Sequence, residues 1–344
     1  MHGKPIFSAA SPDLAIIQQK EPVSRRNKHK LWIIGGVVGV LLIIGATVAY
    51  MLFNTQVTPL ALPTLPAQLS VSQIGLAQWQ QYQQPLPAHP LENPSLPATP
   101  QAIPALAQLE DAAGQALIQQ GDLARGLSYL KAAAQADPND LRLNNDYRLA
   151  LREHKLFRDE QTFFAALVQK TPTANTKIAF ALTYVDLMRT CPKPPDGLVC
   201  QAQYSYRSIS ILDSVLQANP YNVIARYARG LNDLYWPTLM RHLPQAQQDL
   251  QYAVTLSRVQ ATIGAAFVPQ AYVALGDAFA KAGQSRTARN VWLNGLKVTH
   301  SQEQGYLRQR LAIPQPQLQS MESSQLRGLG VYVDTDLSLF WRKG

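Results

Sequence analysis

The sequence predicts an all-α chain: an α-solenoid of about five helix pairs, preceded by one membrane-spanning helix and a Pro-rich linker. Three observations carry the prediction. From about residue 105 onward Ala, Leu and Gln dominate, and apolar-periodic stretches of helix length alternate with Gly or Pro stops. The stops recur at intervals. Asp137-Pro138-Asn139-Asp140 closes one stretch, Thr171-Pro172 closes the next 34 residues later, and Asn219-Pro220-Tyr221-Asn222 closes a third after 48. Upstream, residues 31–53 form one uncharged apolar block.

That block is 23 residues long, with only Thr47 polar. A helix of this length crosses a hydrocarbon core of roughly 30 Å. Gly35, Gly36, Gly39 and Gly45 suit a lipid-embedded helix better than a short soluble one. Arg25, Arg26, Lys28 and Lys30 stand just before it, and no Lys or Arg follows until Arg125. By the positive-inside rule the N-terminus is cytoplasmic and the C-terminal region extracytoplasmic, which in a bacterium means periplasmic, on the outer side of the inner membrane. A cleaved signal peptide is the rival reading, with Thr47 and Ala49 as a weak cleavage site. The apolar run is longer than the 7–15 residues typical of signal peptides, and the 30-residue leader is long for an n-region. Gly35 and Gly39 make a small-xxx-small face that permits close helix–helix contact within the membrane.

The remaining organisation follows from composition. Residues 1–30 are polar, basic and aperiodic, and read as a disordered cytoplasmic tail. Residues 54–104 hold ten prolines, a density that forbids a long helix and predicts a partly extended polyproline stalk. Fully extended it would reach about 150 Å at roughly 3.1 Å per residue. Between residues 69 and 82 the prolines stop and Ile74, Leu76, Trp79 and Tyr82 appear. This patch is either a short helix that docks on the repeat domain or on a partner, or a chance apolar cluster. Residues 105–300 are the solenoid, and 301–344 a capping helix and a C-terminal tail. The capping helix is expected over residues 302–311, where a solenoid must cover its last apolar face. In the tail, alternation over residues 330–341 suggests a short extended stretch that packs back on the solenoid or inserts into a partner.

Within the solenoid the small and large residues are placed with a logic. Gly114 and Leu117 lie on one helix, Gly121-Asp122 at a turn, and Gly126, Leu130 and Ala133 on the next. Near the end Tyr272, Leu275, Gly276 and Phe279 precede Gly283, and Ala288, Trp292 and Gly295 follow it. Small residues let the two helices of a pair approach, and large ones fill the space between pairs. These residues resemble the tetratricopeptide repeat family, in a single-pass, membrane-anchored extracytoplasmic form. The second unit (residues 141–174) follows the pattern through Tyr147, Leu151, Phe164 and Pro172, but Arg148 and Glu160 stand where small residues are preferred. The third (residues 175–222) carries an insertion between its helices. The fourth, marked by Gly230, Ala246, Leu250 and Ala253, has extra residues around Trp236-Pro237-Thr238.

The chemistry is that of a binding protein. Cys191 and Cys200, the only cysteines, bracket a short insertion and fall on the oxidising side of the membrane, so they are expected to form a structural disulfide. The net charge of +9 includes a local +4 from residues 1–30, and charged residues are only 15% of the chain, so no nucleic-acid-binding face is indicated. The six histidines (His2, His29, His89, His154, His242, His300) are scattered, and none makes an i, i+4 metal pair. Gly-x-Ser-x-Gly, phosphate-loop and haem-attachment motifs are absent from the sequence. The acidic pairs Glu110/Asp111 and Asp334/Asp336 read as solvated faces. No catalytic residue, metal or cofactor is expected.

The family resemblance implies a partner groove lined by the first helix of each pair. In this register it offers Arg142, Asn145, Arg152, Tyr227, Tyr235, Asp277 and Lys281. Its mixed Arg/Asn face suits backbone amides or carboxylates of a peptide. It lacks the paired Lys/Asn clamp of chaperone-binding relatives, so capture of a C-terminal carboxylate is not implied. The expectation is a non-enzymatic scaffold, or an assembly or accessory subunit of a membrane complex, binding a protein partner. The alternatives are an envelope enzyme or cofactor carrier that uses the repeats as a platform, and a homo-oligomer that spaces an envelope structure.

Overall fold

The breaks predicted from proline and asparagine are where the helices stop. In the computed structural model, α1 spans Ala107–Gln119, α2 Leu123–Ala136, α3 Leu141–Glu153, α4 Phe157–Lys170 and α5 Ala174–Leu187. They are followed by α6 Leu198–Ala218, α7 Val223–Leu234, α8 Leu243–Val259, α9 Phe267–Lys281, α10 Ser285–Val298 and α11 Gln304–Leu311. The structure describes residues 37–39, 42, 69–82, 84–193, 196–259, 266–299, 304–318 and 334–341. Among these there is no strand.

The chain divides into two compact units, Met1–Asn54 and Thr55–Gly344. Of the first, only Val37, Val38, Gly39 and Leu42 are described; they are helical, and the three apolar side chains are exposed. The rest of the predicted membrane helix, with Gly35, lies outside the described residues, as does the basic N-terminal tail. Among the described residues no helix is long and apolar enough to cross a membrane.

Side-chain caps start the helices. Asp122 accepts from the Arg125 amide, Asp140 from those of Arg142 and Leu143, and Asn222 from that of Ala225. Thr173 and Thr176 form a reciprocal capping box at α5. Gly121 and Gly283 hold the α1–α2 and α9–α10 turns at φ +89° and +74°. Pairing is α1/α2, α3/α4, α5/α6, α7/α8 and α9/α10, with α11 laid on α9 and α10 as the cap. Each odd helix also touches the next odd helix, while contacts between successive even helices are sparse. The stack therefore closes on its odd side, which becomes the inner wall.

Close approach within pairs uses the small residues. A Cβ on Gly276 would lie 2.0 Å from Nε1 of the buried Trp292, and one on Gly114 would lie 2.7 Å from Leu130. Cys191 and Cys200 are disulfide-bonded, with Cα atoms 5.8 Å apart, and tie the insertion to the first turn of α6.

Residues 69–106 differ from an extended stalk. Ile74, Leu76 and Tyr82 are buried in the main core with residues of α5, α7 and α8. Gly75 adopts φ +86° with Asn222 pressed where a Cβ would sit, and the Ile74 carbonyl accepts from the Val223 amide at 3.0 Å. At the α2–α3 turn, Gln81 donates to Asp140 at 2.9 Å and the Tyr82 hydroxyl accepts from the Leu141 amide at 3.0 Å. Further on, the Pro97 carbonyl takes the Tyr129 hydroxyl. The prolines forbid a long helix, allowing only the short turns Trp79–Tyr82, Pro90–Glu92 and Pro104–Leu106, and leave carbonyls and apolar side chains free to bind. The segment is a strap along the repeats.

Candidate functional site: the inner groove and its occupant

The inner wall of odd helices holds residues 334–341. The polar half of the contact centres on Arg148 in α3. Its guanidinium is fully buried, pairs with Asp186 of α5, and donates to Asn145 Oδ1 at 3.0 Å. It also donates to the Thr335 hydroxyl at 2.8 Å and to the Thr335 carbonyl. Thr335 donates to Asp186 at 2.8 Å and accepts from Arg152 at 2.9 Å. Asn145 reads the tail on both sides: its amide donates to Asp336 at 3.2 Å, and its oxygen accepts from the Leu337 amide at 3.1 Å. Asp336 is thus engaged in the groove, whereas the sequence suggested a solvated acidic pair.

The apolar half lies further along the wall. Phe340 is fully buried, stacked on Phe267 at 4.3 Å and edge-on to Tyr227 at 5.8 Å. The Trp341 ring meets Tyr82 of the strap at 5.1 Å. The tail holds its own shape through Asp334, which accepts from the Asp336 amide, and Asp336, which accepts from the Ser338 amide and hydroxyl.

Beside the tail a cleft of about 610 Å³ stays open, walled by Tyr227, Tyr235, Asp277, Arg310, Asp334 and Asp336 among others. Asp277 and Arg310 form a two-point ion pair at 2.8 and 2.9 Å across α9 and α11. Burial pushes the Asp277 carboxyl above its usual range, and the Arg310 guanidinium opposes that shift.

The seven groove positions read from the sequence therefore divide. Asn145, Arg152 and Tyr227 meet the tail, while Tyr235 and Asp277 line the cleft. Arg142 is buried and donates to the Gln84 carbonyl of the strap at 3.3 Å. Lys281 is also buried and donates inward to the Leu234 and Trp236 carbonyls, closing the α7 end. Sequence reasoning missed Arg148, Asp186, Phe267 and Arg310. A signal for the first was present, because Arg148 and Glu160 occupy positions where the repeat pattern wants small residues. In the structure Glu160 is buried near Arg148 and Asp186. Burial, then the neighbouring Asp186 carboxyl, push its pKa up to about 10, so it carries its proton at neutral pH.

A second buried network joins α6, α7 and α8. Asp249 accepts from Arg226 at 2.8 Å and from Arg229 at 2.7 and 2.9 Å. Nearby His242 Nδ1 lies 2.6 Å from Asp233 and its ring stacks on Trp236 at 4.1 Å. The Arg226–Arg229–Asp249 core of this network is buried between the helices. Among the described residues no group of three or more His, Cys, Asp or Glu side chains is arranged to hold a metal ion.

No family model matches this chain, and no curated protein matches it. Among solved structures it is similar to TTC0263, a thermophilic TPR protein of Thermus thermophilus, at 19% identity and a TM-score of 0.45, over 60% of this chain and 97% of that one. It is also similar to MamA from residue 41 to its end, of Desulfovibrio magneticus RS-1, at 17% identity and a TM-score of 0.37, over 56% and 94%. The helix-pair architecture stands on the packing described above.

Proposed function

We propose that this chain is a membrane-anchored, tetratricopeptide-type scaffold that binds a protein partner through its inner groove on the extracytoplasmic side. It would act as an assembly or accessory subunit of a membrane complex, without chemistry of its own. One observation carries the reading: the wall of odd helices already grips a chain segment, irregular over residues 334–337 and turned over Ser338–Phe340, through both its main-chain groups and its side chains, at Asn145 and Arg148. That is how a groove reads a peptide. The uncharged block at residues 31–53, its basic flank and the exposed Val37, Val38 and Leu42 support the anchor. The Cys191–Cys200 bridge fits an oxidising compartment.

The test is crosslinking mass spectrometry on native membranes, paired with a mild-detergent pull-down. A stoichiometric partner crosslinked to the α3–α7 inner face is the expected result. Recovery of the protein alone would sink the reading.

A further inference from the structure

We propose that residues 334–341 are a displaceable resident of the groove, and that they spell out the partner it fits. That partner is a protein segment with a Thr or Ser between two acidic residues, an aliphatic residue two positions after the hydroxyl, and aromatics five and six positions after it, able to take the 3-10 turn that the tail makes at Ser338–Phe340. The proposal rests on the scaffold reading above and names its partner class.

The receiving side is wired independently of the tail. Arg148 reaches Asp186 and Asn145 directly, by contacts that do not pass through Thr335. Tyr227 and Phe267 also pack edge-to-face on each other at 5.0 Å. Emptying the groove therefore leaves a formed polar subsite and a formed aromatic subsite, as a ligand site requires. Recognition is of the kind used for peptides in trans: one carbonyl and one amide of the tail are read by side chains, and a hydroxyl is inserted between Arg148, Arg152 and Asp186. Charge is complementary, since Arg152 lies 3.7 Å from Asp334, whose side chain remains 75% exposed. The groove is also wider than its occupant, because the 610 Å³ cleft runs along the tail and is partly walled by it. A longer partner fills it.

The experiment uses the full chain in detergent and a fluorescein-labelled peptide copy of residues 331–344, read by anisotropy. In the parent the tail competes, and the apparent affinity is reduced by the fraction of molecules whose groove is free. F340A/W341A weakens the resident, so its apparent affinity for the peptide should be tighter by about tenfold or more. T335V should act in the same direction by a smaller factor. Adding N145A to F340A/W341A should abolish binding. Equal affinity in parent and F340A/W341A overturns the proposal, as does no binding in either F340A/W341A or T335V. The two readings fail separately. A partner crosslinked to the inner face without any peptide binding retains the scaffold and removes the resident tail. Peptide binding without a partner does the reverse.

Discussion

The fifth helix pair closes by shape and the second closes by charge. In α9/α10, Gly276 gives up its side chain so that Trp292 can lie against the helix, and the indole N–H is taken by the Val273 carbonyl at 3.3 Å. In α3/α4 the positions where the repeat pattern asks for small residues carry Arg148 and Glu160, and the interior is a guanidinium and two carboxyls shared with α5. Burying charge costs stability unless every group is paired, so such a cluster is weak evidence of stabilisation by itself. Its distinction is where it opens. The contact between the helices of the fifth pair is filled by Trp292, and that pair meets the tail only through the apolar Phe267 ring, while the Arg148 cluster reaches the inner wall and takes the tail by hydrogen bonds. The departure from the repeat pattern marks the binding surface.

The largest effects should come from breaking either closure. Trp292→Ala should cost about 3–5 kcal/mol as a core truncation. Arg148→Met, which leaves Asp186 buried without its main partner, should cost about the same. Denaturant unfolding measures both, and hydrogen exchange separates them. R148M should speed exchange across residues 334–341, and W292A should leave that segment protected. Equal protection of the tail in both variants would mean that the second pair is only structural. Next in size, C191S/C200S should lose about 2.5–3 kcal/mol on the chain-entropy estimate for a loop of about ten residues. Reductant should reproduce that loss in the parent and do nothing to the variant.

Much of the fold was legible because it rests on local rules. Asp140 and Asn222 stand at the breaks and cap the helices that follow them, Gly283 sits in its turn, and Gly276 faces Trp292 as the spacing demanded. The strap was half legible. Ile74, Leu76 and Tyr82 announced an apolar patch, but proline density is read as an extended rod by a rule that knows nothing of neighbouring carbonyl acceptors. The site was less legible still. Helical register places Asn145, Arg152 and Tyr227 on the inner wall, yet the same register puts Arg142 and Lys281 there, and long side chains turn to wherever a partner waits. Arg142 finds the strap, and Lys281 finds the α7 terminus. The occupant itself comes from residues about 190 positions away in sequence from Asn145, a separation that no periodicity encodes.

The smallest expected effect, that of E160Q at pH 5, sharpens the comparison most. Glu160 holds its proton up to about pH 10 in the folded chain, first because it is buried and then because Asp186 lies beside it. In the unfolded chain a Glu titrates near 4.3. Between those values the folded state binds the extra proton, so the contribution to stability is fully present below about pH 4 and falls as pH rises toward 10. Burial also raises Asp140 and Asp233 to about 6 and Asp146 to about 7, which adds the same sign over narrower windows. The protein should therefore be more stable at pH 5 than at pH 8, opposite to a domain held by exposed ion pairs. E160Q supplies a neutral isostere of the protonated acid. At pH 5 it should unfold within about 0.5 kcal/mol of the parent, and between pH 7 and 9 it should lose a smaller share of its stability than the parent loses. If E160Q instead declines as steeply as the parent, Glu160 does not hold the proton, and the second pair is closed with that carboxylate ionised.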